Sequence, residues 1–233
     1  MLSDAYTIKL AIRESPVTTE LAGLSLCISP GSFLYAVSSG PFTLVHELGH
    51  VQLNEGHGHE GTLADRVAYL VNHYQLDRRP FHSVNIALLT TEFTTIPEAY
   101  ASPDLVKRFL EFTTGDAQTK TVKQQAFQGL KFCYGVDQEL ALQLERLFPN
   151  AHLRHAGAVS LQLFFEQHSL RQASVFLNLH DGLMELCARS GNNLLFYNVF
   201  NYSTDEDILY YLLFMMEQFS LDPSFATLVV ASQ

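Results

Sequence analysis

Short apolar segments separated by turns form the hydrophobic pattern of the N-terminal region. Residues 24–29 and 33–38 are rich in apolar, β-branched and aromatic side chains, and a Pro-Gly pair lies between them. This pattern predicts a β-hairpin. A third apolar stretch begins at Phe42 and extends the hairpin to a three-strand meander. A further short strand is predicted over residues 6–12.

Helical spacing follows the meander. Thr62 is a suitable N-cap, and the apolar residues after it recur every three or four positions: Leu63, Val67, Leu70 and Val71. Residues 83–89 form a short apolar run that predicts a buried strand. Pro103, in a first-turn position, begins another predicted helix with apolar positions at Leu105, Phe109 and Phe112.

The segment 24–40 recurs weakly, but in register, as residues 175–191. At an offset of 151 the shared small residues pair as Gly31 with Gly182, Ser39 with Ser190 and Gly40 with Gly191. Each copy continues into an apolar stretch, a helical stretch, a Leu-Asp pair, a proline and a strand. Such self-similarity predicts two copies of one structural unit.

The second copy contains the most strongly patterned helix of the chain. Ser203 and Glu206 predict a capping box, and Asp205 and Asp207 suit the positive helix end. One helix face is apolar and consists of Ile208, Leu212, Met215, Met216 and Phe219. A final strand is predicted over residues 225–231.

The polar stretch 113–125 is the predicted boundary between the halves, which are residues 1–120 and 121–233. After it, strand, helix, strand and helix are predicted over 130–136, 138–147, 151–154 and 159–167. A meander followed by a helix and a parallel strand, present twice, is the layout of the actin-like ATPase fold. The predicted class is therefore α/β, with two ribonuclease H-like halves, each a three-strand meander plus βα units.

A more specific resemblance lies in residues 194–202, LLFYNVFNY, and the acidic helix start that follows them. These residues resemble the hallmark of a bacterial family classed as a domain of unknown function, and FTTIPE at 93–98 resembles its second signature. The similarity extends from about residue 24 to residue 231. It implies an actin-like fold and brings no assigned activity. The chain departs from the family in a His-rich stretch at 46–59, and it ends before a last helix and strand that the resemblance implies.

Composition and charge exclude several classes of function. The net charge is −10, and the 14 Lys and Arg residues form no cluster, which argues against nucleic-acid binding. The longest apolar run, residues 209–216, is far shorter than a membrane span, and the N-terminus lacks a signal-peptide pattern. The three cysteines are far apart in apolar stretches, as expected of reduced thiols. We therefore expect a cytoplasmic protein without membrane insertion.

The most conspicuous local motif is HELGH at residues 46–50. On a helix, His46 and His50 would face the same side and bind zinc, with Glu47 as general base, which would make the chain a zinc metallohydrolase. A catalytic zinc also needs a third protein ligand, and the metzincin continuation is absent, because Leu53 and Gly56 occupy its Gly and His positions. The repeat register instead places this segment in a strand.

The same region also contains GHGHEG at 56–61, which satisfies G-x-G-x-x-G but lacks the preceding parallel strand of a dinucleotide site. The simpler hypothesis is that residues 46–61 hold an insertion of about ten residues relative to the second copy, with its four histidines in a Gly-rich tip.

Nucleotide binding is the function that the fold resemblance suggests. Actin-like ATPases hold phosphate and magnesium at the two first-hairpin turns, each usually Asp-x-Gly followed by a small hydroxyl residue. Here Ser29 and His180 occupy the Asp positions, and neither turn has a lysine nearby. Asp181 is explained by an Asp-Gly hairpin turn. ATP hydrolysis is therefore predicted to be lost.

The sequence thus predicts a non-catalytic actin-like scaffold or protein-binding module, whose partner is another protein and which is able to self-associate. No residue is assigned a catalytic, cofactor-binding or metal-binding role. The alternatives are a degenerate ATP-binding protein of the actin-like superfamily and the zinc metallohydrolase that uses His46, Glu47 and His50.

Overall fold

The computed structural model describes residues 6–13, 22–40, 44–53, 61–115, 119–167 and 173–232. The chain divides into two compact units, Met1–Ala158 and Val159–Gln233. The boundary predicted at residue 120 concerns the two copies of the repeat and stays a prediction.

Thirteen strands and five α-helices lie in the described ranges. In the first unit they are β1 (Tyr6–Arg13), β2 (Ala22–Ile28), β3 (Ser32–Ser39), β4 (Leu44–Leu53), α1 (Leu63–His73), β5 (Ser83–Leu88), β6 (Phe93–Pro97), α2 (Pro103–Thr114), β7 (Lys120–Phe127), β8 (Leu130–Asp137), α3 (Gln138–Leu147) and β9 (His152–His155). Helix α4 (Ala156–Gln167) crosses the division, and β10 (Ala173–Leu179), β11 (Leu183–Ser190), β12 (Asn193–Asn201), α5 (Asp205–Gln218) and β13 (Thr227–Ser232) complete the second unit.

The first unit is built on a six-stranded sheet in the order β1-β4-β3-β2-β5-β9. Strands β2, β3 and β4 form the predicted antiparallel meander, and β5 pairs in parallel with β2. Alternate residues of the meander are buried, as expected of strands with one face in the core, and helix α1 buries an apolar stripe that includes Val67, Leu70 and Val71. At the end of α1, the Tyr74 ring lies 4.9 Å from the ring of Tyr35 on β3.

The second unit repeats this arrangement in a four-stranded sheet, β12-β11-β10-β13. The hairpin registers confirm the offset of 151, because Ile28 pairs with Phe33 and Leu179 pairs with Met184. The second hairpins both contain a bulge at the equivalent place, after Val37 and after Ala188. Conserved strand geometry in both copies supports the predicted duplication.

The helix starts show where the capping predictions succeed and fail. Thr62 caps α1, as predicted, in a reciprocal box with Asp65. At α5 the predicted pair Ser203 and Glu206 is wrong by one residue, because Thr204 caps the helix and Asp207 closes the box. The Asp207 carboxylate accepts the backbone N–H groups of Ser203 and Thr204, and these bonds lower its pKa. This acidic turn therefore serves the helix end.

The remaining elements follow the predicted pattern with two exceptions. Helix α2 begins at Pro103, and the strand, helix, strand and helix expected after residue 130 are β8, α3, β9 and α4. The polar stretch 113–125, predicted to hold the boundary between the halves, contains the start of a further strand, β7, at Lys120, and β6 is the other strand that the pattern does not predict. Strand β7 is an edge strand of the small sheet β6-β8-β7, and most of its side chains are half-buried or exposed.

Candidate functional site

The first hairpin turn, which corresponds to a phosphate-binding turn, is closed by its own side chains. The Ser29 N–H donates to the Ser32 carbonyl over 2.9 Å, and the Ser32 N–H donates to the Ser29 hydroxyl over 2.9 Å. The two hydroxyl oxygens are 3.0 Å apart, and both residues are buried. Ser29 lies where the metal-organising Asp is expected, and its hydroxyl is engaged within the turn.

The second turn is closed by the equivalent backbone hydrogen bond, but its side chains make different contacts. The His180 N–H donates to the Leu183 carbonyl over 2.8 Å, and Gly182 has a positive φ of 74°, which favours glycine. The His180 side chain is buried, and its Nε2 lies 2.8 Å from Oε1 of Glu185. The His180 carbonyl accepts the Tyr202 hydroxyl over 2.7 Å.

Glu185 is the centre of a buried polar cluster beneath this turn. The carboxylate is fully buried on β11, on the sheet face that faces α4. Besides His180, three donors contact it: the Asn178 amide at 2.7 Å, the Ser160 hydroxyl at 3.0 Å and the Tyr197 hydroxyl at 2.9 Å. We name these five residues the Glu185 cluster.

The cluster holds the carboxylate in its charged form. Burial alone raises the pKa of Glu185, but the hydrogen bond and charge of His180, with the bonds from Tyr197 and Asn178, lower it below its usual value. Burial and the Glu185 charge raise the pKa of Tyr197 well above its usual value. Tyr197 is therefore a neutral donor, and Glu185 and His180 form a buried pair.

This geometry favours a structural role over a catalytic one. Four donors occupy the Glu185 carboxylate, which leaves it little capacity to bind a metal or to accept a substrate proton. The cluster is not among the sites predicted from the sequence. The signal was present, because Glu185 is a carboxylate in the middle of an otherwise apolar predicted strand, and buried carboxylates are paired.

The HELGH motif lies in strand β4, which confirms the strand interpretation. The alternative of a zinc metallohydrolase requires a helix here and is therefore wrong. The Glu47 carboxylate is held by Arg79, whose Nη1 and Nη2 lie 2.7 and 3.2 Å from its two oxygens. The His46 ring contacts the Ser39 hydroxyl at 2.7 Å, at the bulge in β4. Gly49 is required where it is, because a Cβ atom there would lie 2.1 Å from the Tyr35 ring. Within the described ranges, no group of three or more His, Cys, Asp and Glu side chains is arranged to hold a metal ion.

The predicted insertion is correspondingly shorter. His46 and His50 belong to β4, and eight residues separate Leu53 from the Thr62 cap, whereas Ser203 alone separates Tyr202 from Thr204. His57, His59 and most of the GHGHEG segment lie outside the described residues.

A different surface, between β12 and α5, has the composition of a binding site. A groove of about 280 Å³ is lined by nine residues: Phe196, Asn198, Phe200, Tyr210, Tyr211, Phe214, Met215, Gln218 and Phe219. Its aromatic rings are ordered against each other, with Phe200 and Tyr211 stacked at 4.3 Å and Tyr210 and Phe214 stacked at 5.9 Å. We name this the aromatic groove. It includes three residues of the LLFYNVFNY motif, among them Asn198, whose side-chain oxygen accepts the Val199 N–H over 2.9 Å.

Two meander–helix–strand units of this topology define a protein of the actin-like ATPase fold. More particularly, the chain belongs to the family described as "Protein of unknown function (DUF3822)", whose profile matches residues 13–233. Both results confirm the resemblance found in the sequence.

One solved structure supports the same fold, and two others are similar to a lesser degree. A protein from Bacteroides thetaiotaomicron, with an actin-like ATPase fold and unknown function, matches at a TM-score of 0.81 and 15% identity, covering 91% of this chain and 82% of that one. A chain of the PilM–PilN type IV pilus biogenesis complex matches at 0.49 and 17% identity, covering 86% and 66%. The cytoplasmic domain of EpsL from the Vibrio cholerae type II secretion system matches at 0.49 and 13% identity, covering 91% and 82%. No curated protein matches the chain. None of the helices in the described residues is long and apolar enough to span a membrane.

Proposed function

We propose that this chain is a non-catalytic actin-like protein that binds another protein through the aromatic groove and the adjoining outer face of α5. The observation that carries the proposal is that α5 is apolar around most of its circumference. Leu212, Met215 and Met216 face the sheet and are buried. On the opposite side, the exposed residues are Leu209, Tyr210, Leu213 and Phe214. A helix with apolar residues all round is typical of one that is covered on both sides.

The other copy of the repeat supports this interpretation. Aligning the caps Thr62 and Thr204 places Ala68 and Asn72 of α1 opposite Tyr210 and Phe214 of α5. Helix α1 thus has a small and a polar residue at the positions where α5 presents two aromatic rings. Aromatic side chains are enriched at the energetically dominant positions of protein interfaces.

The turns favour binding over nucleotide hydrolysis. Ser29 and His180, which replace the metal-organising acids, are engaged by Ser32 and Glu185. We also propose a cytoplasmic location. Cys133 and Cys187 are buried thiols, and burial raises the pKa of Cys133 to about 11, as suits an unreactive thiol in a reducing compartment.

The test is a charge placed in the aromatic groove. Tyr210 is 62% exposed and Phe214 49% exposed, so Tyr210→Glu with Phe214→Glu leaves the core of the unit intact. A protein partner should co-purify with the wild type from the source organism. We expect the amount that co-purifies with this variant to be at least about tenfold lower, as for an interface hot spot.

The matched control is Phe112→Glu, because Phe112 is 89% exposed on α2 in the other unit. It should retain the partner, and both variants should unfold within a few degrees of the wild type. Equal recovery with both variants, or equal loss with both, would contradict a binding role for the groove.

A further inference from the structure

We propose that the partner binds as an extended segment, apolar and basic, that pairs antiparallel with the open edge of β12. This inference rests on the proposed function and specifies the chemistry of the partner at the same groove.

The two copies of the repeat differ at this edge. In the first unit, β4 pairs on one side with β3 and on the other with β1, which runs antiparallel from Tyr6 opposite Leu53 to Arg13 opposite Glu47. In the second unit β12 occupies the position of β4, and among the described strands it pairs with β11 alone. The fold therefore accepts an antiparallel strand at this position, and β12 presents its edge without one. An exposed edge is a template for an added strand.

The backbone groups at the edge are in place for such pairing. The Tyr202 N–H donates to the Gly182 carbonyl, toward β11, over 3.1 Å. Because N–H directions alternate along a strand, the N–H groups of Asn201 and Val199 point to the open side. Consistent with this, the Val199 N–H donates to the side-chain oxygen of Asn198 over 2.9 Å. That local bond occupies an edge donor that a partner carbonyl would otherwise accept.

The aromatic groove lies beside this edge, on the sheet face that α5 covers. Phe196, Asn198 and Phe200 are the β12 residues that line it. Side chains of an added strand project alternately to the two faces, so every second residue of the segment lies on the groove side. Apolar residues at alternate positions suit that side.

The negative charge around β12 and α5 sets a second requirement for the partner segment. Residues 190–233 contain five acidic residues and no Lys, Arg or His: Asp205, Glu206, Asp207, Glu217 and Asp222. A second copy of this chain would bring like charges together, which disfavours self-association at this surface. Antiparallel pairing places the beginning of the partner segment beside Asn201, close to the acidic start of α5. Lys or Arg is therefore expected toward the N-terminal side of the segment.

The probe is a random library of twelve-residue peptides displayed on phage and selected against the full chain. We expect enriched sequences with apolar residues at alternate positions and with Lys or Arg in the first half. A synthetic peptide of the leading sequence should slow hydrogen exchange at the Val199 and Asn201 amides. Enrichment of acidic sequences, of apolar spacing every three to four residues, or of no sequence would overturn the inference.

Two variants test the strand pairing directly. Asn201→Pro removes the backbone N–H of an exposed residue at the open edge, and it leaves the hydrogen bonds to β11 in place. It should lower the affinity for the peptide at least about tenfold. Asn198→Ala frees the Val199 N–H for the partner strand, and should bind the peptide more tightly than the wild type does. Thermal unfolding of both variants checks their fold, and if Asn201→Pro is unfolded, the hydrogen-exchange result and Asn198→Ala decide. Loss of the native partner from the charged groove variant, combined with unchanged peptide binding by Asn201→Pro, would reject strand pairing and leave the proposed function standing.

Discussion

His180→Ala is expected to lower the free energy of unfolding by about 3–5 kcal/mol at neutral pH, because it leaves a buried carboxylate without one of its partners. The variant leaves the Glu185 carboxylate fully buried without the His180 bond at 2.8 Å. Chemical denaturation of the wild type and the variant measures the difference.

The pH dependence distinguishes this cause from simple loss of packing. In the wild type the pKa of Glu185 is lowered in the folded state, so its contribution is present above the usual pKa and is lost as the pH falls through the lowered one. In His180→Ala, burial should instead raise that pKa, so stability should recover as the pH falls from about 7 to 5.

The control for this prediction is His180→Ala combined with Glu185→Gln, which removes the charge while keeping an oxygen for the other donors. It should recover a substantial part of the loss at pH 7 and show no such pH dependence. A His180→Ala variant that is as stable as the wild type would mean that the Glu185 cluster is not formed.

Gly49→Ala is expected to have the second large effect. The sign of the change in the free energy of unfolding distinguishes a strand from a helix in the HELGH segment. In strand β4 the new Cβ would lie 2.1 Å from the Tyr35 ring, so we expect a loss of about 3 kcal/mol, at the upper end of overpacking costs. On a helix the same change would stabilise by about 1 kcal/mol, because Ala is the better helix former.

Denaturant unfolding of Gly49→Ala, Tyr35→Leu and the double variant measures the coupling. Because the clash is with Tyr35 itself, the double variant should lose clearly less than the sum of the two single variants. Additive losses, or a stabilised Gly49→Ala, would place the segment in another structure.

The fold was predictable because it depends on local patterns that occur twice. The offset of 151 between Gly31 and Gly182 recurs in the strand registers, and the family motif at 194–202 supplied the fold class. The errors lie at boundaries. Thr204 caps α5 in place of Ser203 because neighbouring hydroxyl residues precede an acidic run, and the pattern does not distinguish which one adopts the cap geometry.

The Glu185 cluster could be predicted only in part. An acid in an apolar strand indicates a buried partner, but the donors come from α4, β10 and β12, and Ser160 is 25 residues away in sequence. The aromatic groove was hidden for a related reason. The apolar sequence of α5 does not distinguish Tyr210 and Phe214 from core residues, and only the position of the helix on the sheet shows that they face outward.

Whether this actin-like chain works without a nucleotide is tested most directly by thermal unfolding with and without ATP and Mg²⁺. A ligand present at about 100 times its Kd adds about 2.7 kcal/mol, which for a chain of this size raises the melting temperature by roughly 5–10 °C. With Ser29 and His180 engaged within their own units, we expect a shift below about 1 °C at millimolar ATP, where even a Kd near one millimolar gives little stabilisation. A saturable rise of several degrees that depends on Mg²⁺ would contradict this expectation and make the turns a working nucleotide site.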